Sequence, residues 1–588
     1  MARSRFVSSA ARLVSGALLV AMGVLLLLNS ASAIQLIIWL LSAGLLLAGL
    51  LRLLEMQDNA SRRAPVFVAG LLLILSAIAL PLARSASLPV LALFLSLALF
   101  FAGALRFASM AKGSRTPAFR GVLTALTGVF GAVVSIFWPR LSLWVLGVVF
   151  GMWLVLLGLR ALSTPLRNVL PAPQKWMRAV GSAGLTGLAI FGLMAVMGLG
   201  ALTAFLHSQS STSSADDFYL PPASVPNARG ELIRSEPLAQ QALENTEAWR
   251  ILYTTASEDG SAAIASGIVT VPRDARGALP VISWANGTKG IASQCALSAS
   301  PNPYDDGPAI AREEMLSRGW AIVATDYVGL GTAGPHPYLV PQAEAHAVLD
   351  ATRAAAQLDA LAEQGMRLDE RSVVWGHSQG GHAALATAKE AKEYAPDLDI
   401  LGVAAMAPAS DLPHLAESIA DTSAGKIVSS YIAASWNELY PQMDIADRLT
   451  PRSELAVNQL SKNCFTGAGA VAGVAQASQL FEPVFSPEAL DHGLSELFEQ
   501  NSAPIPKGLP IFLSQGATDS LVVPSMQRNF VQASCQHGAQ IGYAEYPGLD
   551  HMPLVGEGSA LNQDLVRFTQ SLLEGETAYP KTASLCGK

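Results

Sequence analysis

Acidic residues are almost absent from the first third of the chain, and this feature most limits how the chain can fold. Before Asp216 the 588-residue chain contains only two, Glu55 and Asp58, and the other 43 lie at Asp216 or beyond. Basic residues divide as 16 before that point and 22 after it, so the two parts carry net charges of +14 and −21. The chain therefore contains two physically different parts, and the acidic part lacks the basic face that nucleic-acid binding requires.

Long apolar runs fill the N-terminal part, and each is close to the roughly 20 residues with which a helix crosses a bilayer. We predict seven membrane-spanning helices, at about 11–30, 34–54, 66–83, 88–107, 121–138, 141–160 and 180–206. Ala31-Ser32-Ala33 follows the first run as it would in a signal peptide, but six further runs favour a retained helix. The sequence therefore predicts an all-α transmembrane helical domain over residues 1–206. Because no Asp, Glu, Lys or His falls within a run, we expect anchoring rather than transport.

The basic residues of this part predict an orientation. Of the 16, 14 fall in one set of connections between the runs, and only Arg84 and Arg140 fall in the alternate set. Positive charge concentrates on the cytoplasmic side of membrane proteins. We therefore predict a multi-pass protein of the plasma (inner) membrane, with a cytoplasmic N-terminus and with everything after Leu206 extracytoplasmic.

An internal repeat accompanies the apolar runs. Arg52, Arg106 and Arg160 recur at a 54-residue interval, and the residues before Arg52 and Arg106 read Ala-Gly-Leu-Leu and Ala-Gly-Ala-Leu. This spacing predicts three helical hairpins. The pattern over about residues 10–165 resembles the HdeD-like membrane proteins, which are built from short repeated hairpins.

The remainder of the chain alternates strand-like and helical patterns. A Ser-rich and Pro-rich tract over 207–229 predicts a linker, and we place a folded domain at 230–588. Predicted strands are 249–254, 266–271, 279–285, 320–326, 372–376, 400–406, 509–515 and 541–546. Predicted helices include 342–364, 380–394 and 560–573. This alternation indicates an α/β domain with a mostly parallel sheet and crossover helices.

A Gly-x-Ser-x-Gly motif stands at one of the predicted strand-to-helix junctions. Gly376, Ser378 and Gly380 follow the apolar strand at 372–376 and precede an Ala-rich helix. Small residues two positions on either side of the serine permit a sharp turn that exposes its hydroxyl. The context therefore predicts Ser378 as a catalytic nucleophile.

A serine nucleophile needs a histidine base and a carboxylate that orients the histidine. In this kind of fold these follow the serine in the order acid, then histidine. Asp519, in the loop after strand 509–515, is the predicted acid, and His551, after strand 541–546, is the predicted base. Asp550 and His537 are less favoured alternatives. His377 and His382 flank the nucleophile, and His377 is expected to pack or to support the turn. His414 and His492 fall in the expected cap, and His336 and His346 lie too early in the chain for the order serine, acid, histidine.

The oxyanion of the reaction needs backbone N–H donors. We predict the amide of Gln379, directly after the nucleophile, and the amide of Thr288 in the loop after strand 279–285. An ordinary Asn-Gly turn at Asn286 and Gly287 is the alternative for the second position. We expect no metal and no cofactor, because the chain has no cysteine or histidine cluster with metal-ligand spacing.

All four cysteines, Cys295, Cys464, Cys535 and Cys586, lie in the acidic part. Four buried thiols and two disulfides are both open from their number alone. An extracytoplasmic domain favours disulfides, and among the three possible pairings we prefer Cys295–Cys464 with Cys535–Cys586.

Several motifs in order carry a family resemblance. They are Gly230–Pro237, Asn286–Thr288, Cys295–Ser298, Asp326–Gly331, His336–Tyr338 and Gly376–Gly381. Residues from about 218 to 575 resemble the secretory lipase family of α/β-hydrolases. The resemblance implies acyl-ester hydrolysis and a helical cap inserted after the strand at 400–406, which residues 411–505 fit. Apolar cap residues that could line an acyl pocket are Leu412, Leu415, Ile427, Tyr431, Leu480 and Phe481.

The sequence thus predicts a membrane-anchored serine carboxylester hydrolase, an esterase or lipase, acting on lipid or other acyl esters. Two alternatives remain open: an acyltransferase on the same fold, and an envelope stress or scaffold protein with a lipid-binding hydrolase-like domain. The partners expected are an acyl-ester or lipid substrate and the membrane, with no nucleic acid. The oligomeric state is not predicted.

Overall fold

The computed structural model describes both parts of the chain with gaps. In the N-terminal part it describes residues 2–28, 34–55, 63–82 and 139–166, with shorter pieces within 122–126 and 187–202. In the C-terminal part it describes residues 216–586 except 239–242, 305–309, 451–452 and 481. The chain separates into two compact units, residues 1–205 and 206–588.

Helices form most of what is described of the N-terminal unit. They are α1 (Ala2–Leu28), α2 (Ile34–Glu55), α3 (Arg63–Leu82) and α4 (Pro139–Leu166). Helices α1 and α4 pack at paired glycines: a Cβ on Gly16 would lie 3.0 Å from the carbonyl oxygen of Gly158, and a Cβ on Gly151 would lie 3.1 Å from that of Gly23. Because glycine has no side chain, the two backbones approach closely there.

The predicted transmembrane domain is wrong. In the parts of the chain that the structure describes, no helix combines the length and the hydropathy needed to cross a membrane. Of the seven predicted spans, 88–107 lies outside the described residues, and 121–138 and 180–206 lie largely outside them. The error has a physical reason. An apolar run predicts a helix, but an apolar helix can also pack against another helix, as α1 and α4 do at their glycines. The run alone therefore does not show whether the helix lies in a membrane.

A ten-stranded sheet forms the centre of the C-terminal unit. Its strands are β1 (Leu232–Pro237), β2 (Thr246–Ala256), β3 (Ala262–Pro272), β4 (Gly277–Ala285), β5 (Ala321–Val328), β6 (Met366–His377), β7 (Asp399–Met406), β8 (Pro510–Gly516), β9 (Gln540–Tyr546) and β10 (Ser584–Leu585). The strand order is β1-β2-β3-β5-β4-β6-β7-β8-β9-β10. The stretch from β5 to β9 is parallel, and β1, β2, β3 and β10 pair antiparallel at the two ends. This is an α/β-hydrolase sheet, and all eight predicted strands are confirmed.

Helices surround the sheet and form the cap. They are α5 (Arg312–Ser317), α6 (Pro341–Ala355), α7 (Asp359–Glu363), α8 (Gln379–Tyr394), α9 (Leu412–Ser418), α10 (Ser423–Leu439), α11 (Ser453–Leu460), α12 (Gly467–Ala477), α13 (Ser495–Gln500), α14 (Pro524–Gln536), α15 (His551–Leu554) and α16 (Ala560–Leu573). The cap consists of α9 to α13, which lie between β7 and β8 in the chain.

Both faces of the parallel strands are covered by helices. In β6, Val373 and Trp375 point to one face and pack with Leu565 and Phe568 of α16. Val374 points to the opposite face, where α6 and the Ala-rich α8 supply small apolar side chains. Strands buried on both faces read as continuous apolar runs, which is why they could be found from the sequence. The site-bearing loops extend from this rigid centre.

Candidate active site

Ser378 lies at the turn between β6 and α8. Its backbone φ is +59°, a left-handed value that is uncommon for a residue with a side chain. Its amide donates to the carbonyl oxygen of Met406 at 2.9 Å, which fixes the strained turn against β7. A Cβ on Gly376 would overlap the carbonyl of Gly380, and a Cβ on Gly380 would overlap that of Ala285. The two glycines of the motif are therefore required by the turn itself, as the sequence pattern implies.

Asp519 and His551 lie next to each other although 32 residues separate them in the chain. Oδ2 of Asp519 lies 2.8 Å from Nδ1 of His551, and both residues are buried. The other carboxylate oxygen accepts the backbone amides of Leu521 and Val522 at 2.9 and 2.8 Å. Gln515 donates from its side-chain amide to Oδ2 at 3.0 Å. The carboxylate is thus held by four donors, and it fixes the ring of His551 through Nδ1.

His377 packs against the ring of His551. The two ring centroids are 4.5 Å apart, and His377 is buried. Burial lowers the pKa of His377 well below its ordinary value, and His551 and Lys289 lower it further. His377 therefore stays neutral and places no positive charge beside His551.

The two predicted oxyanion donors border the same cavity as Ser378. The amide of Gln379 is the first N–H of α8, where no preceding helical turn supplies an acceptor. Thr288 is anchored through its hydroxyl, 2.8 Å from the hydroxyl of Tyr338. A Cβ on Gly287 would lie 3.0 Å from the carbonyl oxygen of His377, so this loop passes close to the nucleophile turn.

A buried carboxylate that the sequence reasoning missed lies behind the nucleophile turn. Glu344 of α6 is fully buried, accepts the side-chain amide of Gln379 at 2.8 Å, and lies 2.7 Å from Nδ1 of His382. Nε2 of His382 lies 2.8 Å from the carbonyl oxygen of Asn501, at the end of the cap. Both ring nitrogens of His382 thus lie beside oxygen atoms of the protein, and neither faces the cavity. A glutamate on the apolar face of 342–364 was the sequence signal.

The less favoured alternatives occupy other positions. Asp550 accepts the backbone amides of Ser520 and His551, each at 2.8 Å, and so caps α15 instead of contacting the ring of His551. His537 is exposed, and its Nδ1 contacts the carbonyl oxygen of Ala533. His346 stacks on Tyr394 with centroids 3.7 Å apart.

Two disulfides join the four cysteines, as Cys295–Cys464 and Cys535–Cys586. The first ties the loop after β4 to the cap. Beside it the amide of Phe465 donates to the carbonyl oxygen of Lys289 at 2.7 Å, so the cap segment is attached to the loop that carries Thr288.

One cavity of about 660 Å³ brings the candidate residues together. Ser378, Gln379, Thr288, His377 and His551 all border it. Its apolar lining includes residues of the cap and of neighbouring loops: Leu339, Ala409, Leu415, Ile419, Val428, Phe465, Leu521 and Val522. Of the predicted acyl-pocket residues, Leu415 borders this cavity, Leu412, Ile427 and Tyr431 lie in the cap core, Leu480 packs against that core, and Phe481 lies outside the described residues. Within the described parts of the chain, no cluster of His, Cys, Asp or Glu has a metal-binding arrangement.

Known proteins resemble the C-terminal part of the chain. Residues 309–572 match the model of the secretory lipase family. A secreted triacylglycerol lipase of Malassezia globosa is 25% identical over 399 residues, covering 62% of this chain and 80% of the relative. A probable inactive lipase of Mycobacterium tuberculosis is 26% identical over 363 residues, covering 58% and 78%. The crystal structure of Candida antarctica lipase A has the same fold, with a TM-score of 0.51 and 19% identity, covering 63% and 88%.

These comparisons confirm the predicted enzyme class for the C-terminal region, a carboxylic ester hydrolase of the lipase and esterase type. They do not support the HdeD-like resemblance over residues 10–165, since the family match begins at residue 309.

The predicted multi-pass location in the plasma (inner) membrane is wrong. The relatives from Malassezia globosa are described as secreted lipases, and the described helices include none that could cross a membrane. An excess of Arg and Lys on alternate connections orients spans only where spans exist.

Proposed function

We propose that the chain hydrolyses acyl esters with Ser378 as nucleophile, His551 as general base and acid, and Asp519 as the carboxylate that orients His551. The observation that carries the proposal is the 2.8 Å contact between Asp519 and His551 at the wall of the cavity that Ser378 borders. With Nδ1 committed to Asp519, His551 can use Nε2 for proton transfer.

The first half of the reaction acylates the serine. The hydroxyl oxygen of Ser378 attacks the ester carbonyl carbon while its proton passes to Nε2 of His551. The oxyanion that forms is stabilised by the backbone amides of Gln379 and Thr288. The bond between the carbonyl carbon and the alcohol oxygen then breaks, and His551 gives its proton to the departing alcohol. The acyl group remains on Ser378.

The second half releases the acid. A water molecule attacks the acyl carbon and gives a proton to His551, and the bond to Ser378 breaks as His551 returns the proton to the serine oxygen. Free carboxylic acid and the original enzyme result. Apolar cap residues such as Leu415 and Ile419 supply the surface on which an acyl chain can lie.

The chain retains every group that this mechanism needs, although one relative is described as probably inactive. The test is labelling with a fluorophosphonate, which reacts quickly only with an activated serine. We expect labelling of the wild-type chain at Ser378, shown by peptide mapping, and loss of labelling in Ser378→Ala. Labelling of another serine, or none in folded protein that hydrolyses no p-nitrophenyl ester, would contradict the proposal.

A further inference from the structure

One buried oxygen atom lies between the two segments that carry the proposed oxyanion donors. It belongs to Glu344, which is fully buried on α6. Oε1 of Glu344 accepts the side-chain amide of Gln379 at 2.8 Å and the backbone amide of Leu339 at 3.1 Å. The other oxygen, Oε2, is engaged separately, 2.7 Å from Nδ1 of His382. Oε1 thus joins the start of α8 to the loop that precedes α6.

The side-chain amide of Gln379 has a second contact besides Glu344. Its Nε2 lies 3.3 Å from Nε2 of His336. Burial lowers the pKa of His336 to about 4, so near neutral pH the ring carries one proton. That proton is on Nδ1, which lies 2.8 Å from the carbonyl oxygen of Val328, and Nε2 is therefore an acceptor. Two acceptors thus fix the side chain of the residue whose backbone amide is proposed to bind the oxyanion.

The second proposed donor, Thr288, is connected to the same oxygen through the loop before α6. Its hydroxyl lies 2.8 Å from the hydroxyl of Tyr338, which directly precedes Leu339 in the chain. Leu339 has a φ of +54°, a left-handed value that is uncommon for a residue with a side chain. The contact of its amide with Glu344 holds this conformation. The loop therefore links Glu344 to the hydroxyl that anchors Thr288.

Two backbone amides stabilise an oxyanion only if both point at the place where it forms. The amides of Gln379 and Thr288 come from separate segments, so their spacing depends on what joins the segments. A displacement of about 1 Å in an active site can cost about 10²-fold in rate. Glu344 does not border the cavity, so it can influence the reaction only through the residues that it contacts.

We propose that Glu344 is a positioning residue for the oxyanion hole, whose Oε1 fixes the spacing between the backbone amides of Gln379 and Thr288. This inference rests on the proposed function, because it requires Ser378 to form a tetrahedral adduct whose oxygen these two amides bind. It assigns Glu344 a role in kcat in addition to its place in the buried pair with His382.

Two substitutions at Glu344 separate its oxygen from its bulk. Glu344→Leu removes the acceptor for Gln379 and Leu339. Glu344→Gln keeps an oxygen in that place, and its amide nitrogen can donate to Nδ1 of His382. For p-nitrophenyl butyrate, kcat of Glu344→Leu should fall roughly 10- to 100-fold while KM stays within about threefold. Glu344→Gln should retain most of the wild-type kcat.

Inhibition by a trifluoromethyl ketone reports on the oxyanion hole directly. The hydroxyl oxygen of Ser378 adds to the ketone carbon, its proton passes to His551, and the adduct carries an oxyanion. Because both quantities depend on stabilisation of that oxyanion, Ki should rise in Glu344→Leu by the factor by which kcat/KM falls. We express kcat per serine labelled by a fluorophosphonate at completion. A loss of folded protein alone would therefore change neither kcat nor Ki.

Asp350→Leu is the matched control on the same helix. Asp350 is also a fully buried carboxylate of α6, but its contacts are with Arg353 and Tyr394. The variant should lose stability and keep the wild-type kcat and Ki. Wild-type kcat and Ki in Glu344→Leu would overturn the proposal. So would an equal loss in Asp350→Leu, or a loss in Glu344→Gln as large as in Glu344→Leu.

Gln379→Met decides the question if Glu344→Leu does not fold. It keeps the backbone amide of residue 379 and removes only the side-chain donor, while Glu344 keeps Leu339 and His382. We expect kcat to fall about tenfold at an unchanged KM, with Ki rising to match. Wild-type kcat and Ki in this variant would overturn the proposal. A wild-type chain that hydrolyses no ester and does not bind the ketone would instead contradict the proposed function.

Discussion

Two histidine–carboxylate pairs in the C-terminal unit have nearly the same geometry and different surroundings. Nδ1 of His551 lies 2.8 Å from Asp519, and Nδ1 of His382 lies 2.7 Å from Glu344. His551 borders the cavity, whereas Nε2 of His382 is taken by the carbonyl oxygen of Asn501.

The difference teaches what separates a catalytic pair from a structural one. A general base needs a nitrogen that is free to accept a proton from the reacting group. His382 has none, because both of its nitrogens face oxygen acceptors. It instead joins α6, α8 and the end of the cap through buried hydrogen bonds, which are costly to break from one side. We therefore expect the two pairs to respond to mutation in opposite ways.

The largest effect is expected at the cavity pair. His551→Ala removes the base, so kcat for a p-nitrophenyl ester should fall by about 10⁴-fold or more. The melting temperature should change little, because Gln515 and the backbone amides of Leu521 and Val522 still donate to the carboxylate of Asp519. Steady-state kinetics and thermal unfolding measure both, with the exposed His537→Ala as control. An active His551→Ala beside an inactive, folded His537→Ala would reverse the assignment of the base.

The second largest effect is expected at the buried pair of His382 and Glu344, as a loss of stability. His382→Ala removes the buried ring that joins Glu344 to the carbonyl oxygen of Asn501, which should lower the free energy of unfolding by about 3–5 kcal/mol. Urea unfolding of the full chain followed by tryptophan fluorescence measures the loss. A change of stability within a few tenths of a kcal/mol, together with a large loss of kcat, would mean that His382 acts chemically.

A buried histidine without a carboxylate extends the comparison to pH. Burial lowers the pKa of His346 from 6.5 to about 4. Its stabilising contribution is therefore fully present above pH 6.5 and is lost as the pH falls towards 4. His346→Phe keeps the stacking on Tyr394 and cannot be protonated. Between pH 7 and pH 4.5 the variant should lose about 2–3 kcal/mol less stability than the wild type.

Unfolding free energies at the two pH values check this prediction. Equal losses of stability in the two proteins would show that the pKa of His346 is the same in the folded and unfolded states.

The smallest effect is expected at the carboxylate adjacent to His551 in the chain. Asp550 caps α15, since its side chain accepts the backbone amide of His551. Hydrogen bonds from the backbone amides of Ser520 and His551 lower the pKa of Asp550. Asn also caps helices well, so Asp550→Asn should change stability by only a few tenths of a kcal/mol and keep most activity.

The same substitution at the partner of the ring is the matched control. Asp519→Asn should lower kcat by about 10⁴-fold, since an amide no longer fixes the ring of His551 in its reactive form. Similar losses of kcat in Asp550→Asn and Asp519→Asn would mean that the contact at Nδ1 of His551 does not decide which carboxylate acts.

Much of the fold could be predicted because the parallel strands are apolar on both faces. Strands β1 and β10 were missed for the opposite reason. β1 is an edge strand whose second half is exposed, and β10 has only two residues. The N-terminal prediction was wrong because an apolar run specifies a helix and leaves its environment open.

The candidate site was predictable only where chain order and local turns carry the information. Ser378 is marked by its two glycines, and Asp519 and His551 by the loops after β8 and β9. Glu344 was marked only by its place on the apolar face of a predicted helix, and its role depends on contacts that only the folded chain defines. His382 and Asn501 are in contact although 119 residues separate them in the chain, and no local sequence pattern indicates such a contact.

Coupling between Ser378 and His551 is tested most directly by comparing Ser378→Ala, His551→Ala and the double variant on one p-nitrophenyl ester. Residues that act as a unit give strongly non-additive losses. Each single change should lower kcat by several orders of magnitude, and the double variant should be within about threefold of the worse single one. Losses that multiply, or near-wild-type hydrolysis by folded Ser378→Ala, would contradict a catalytic unit formed by these two residues.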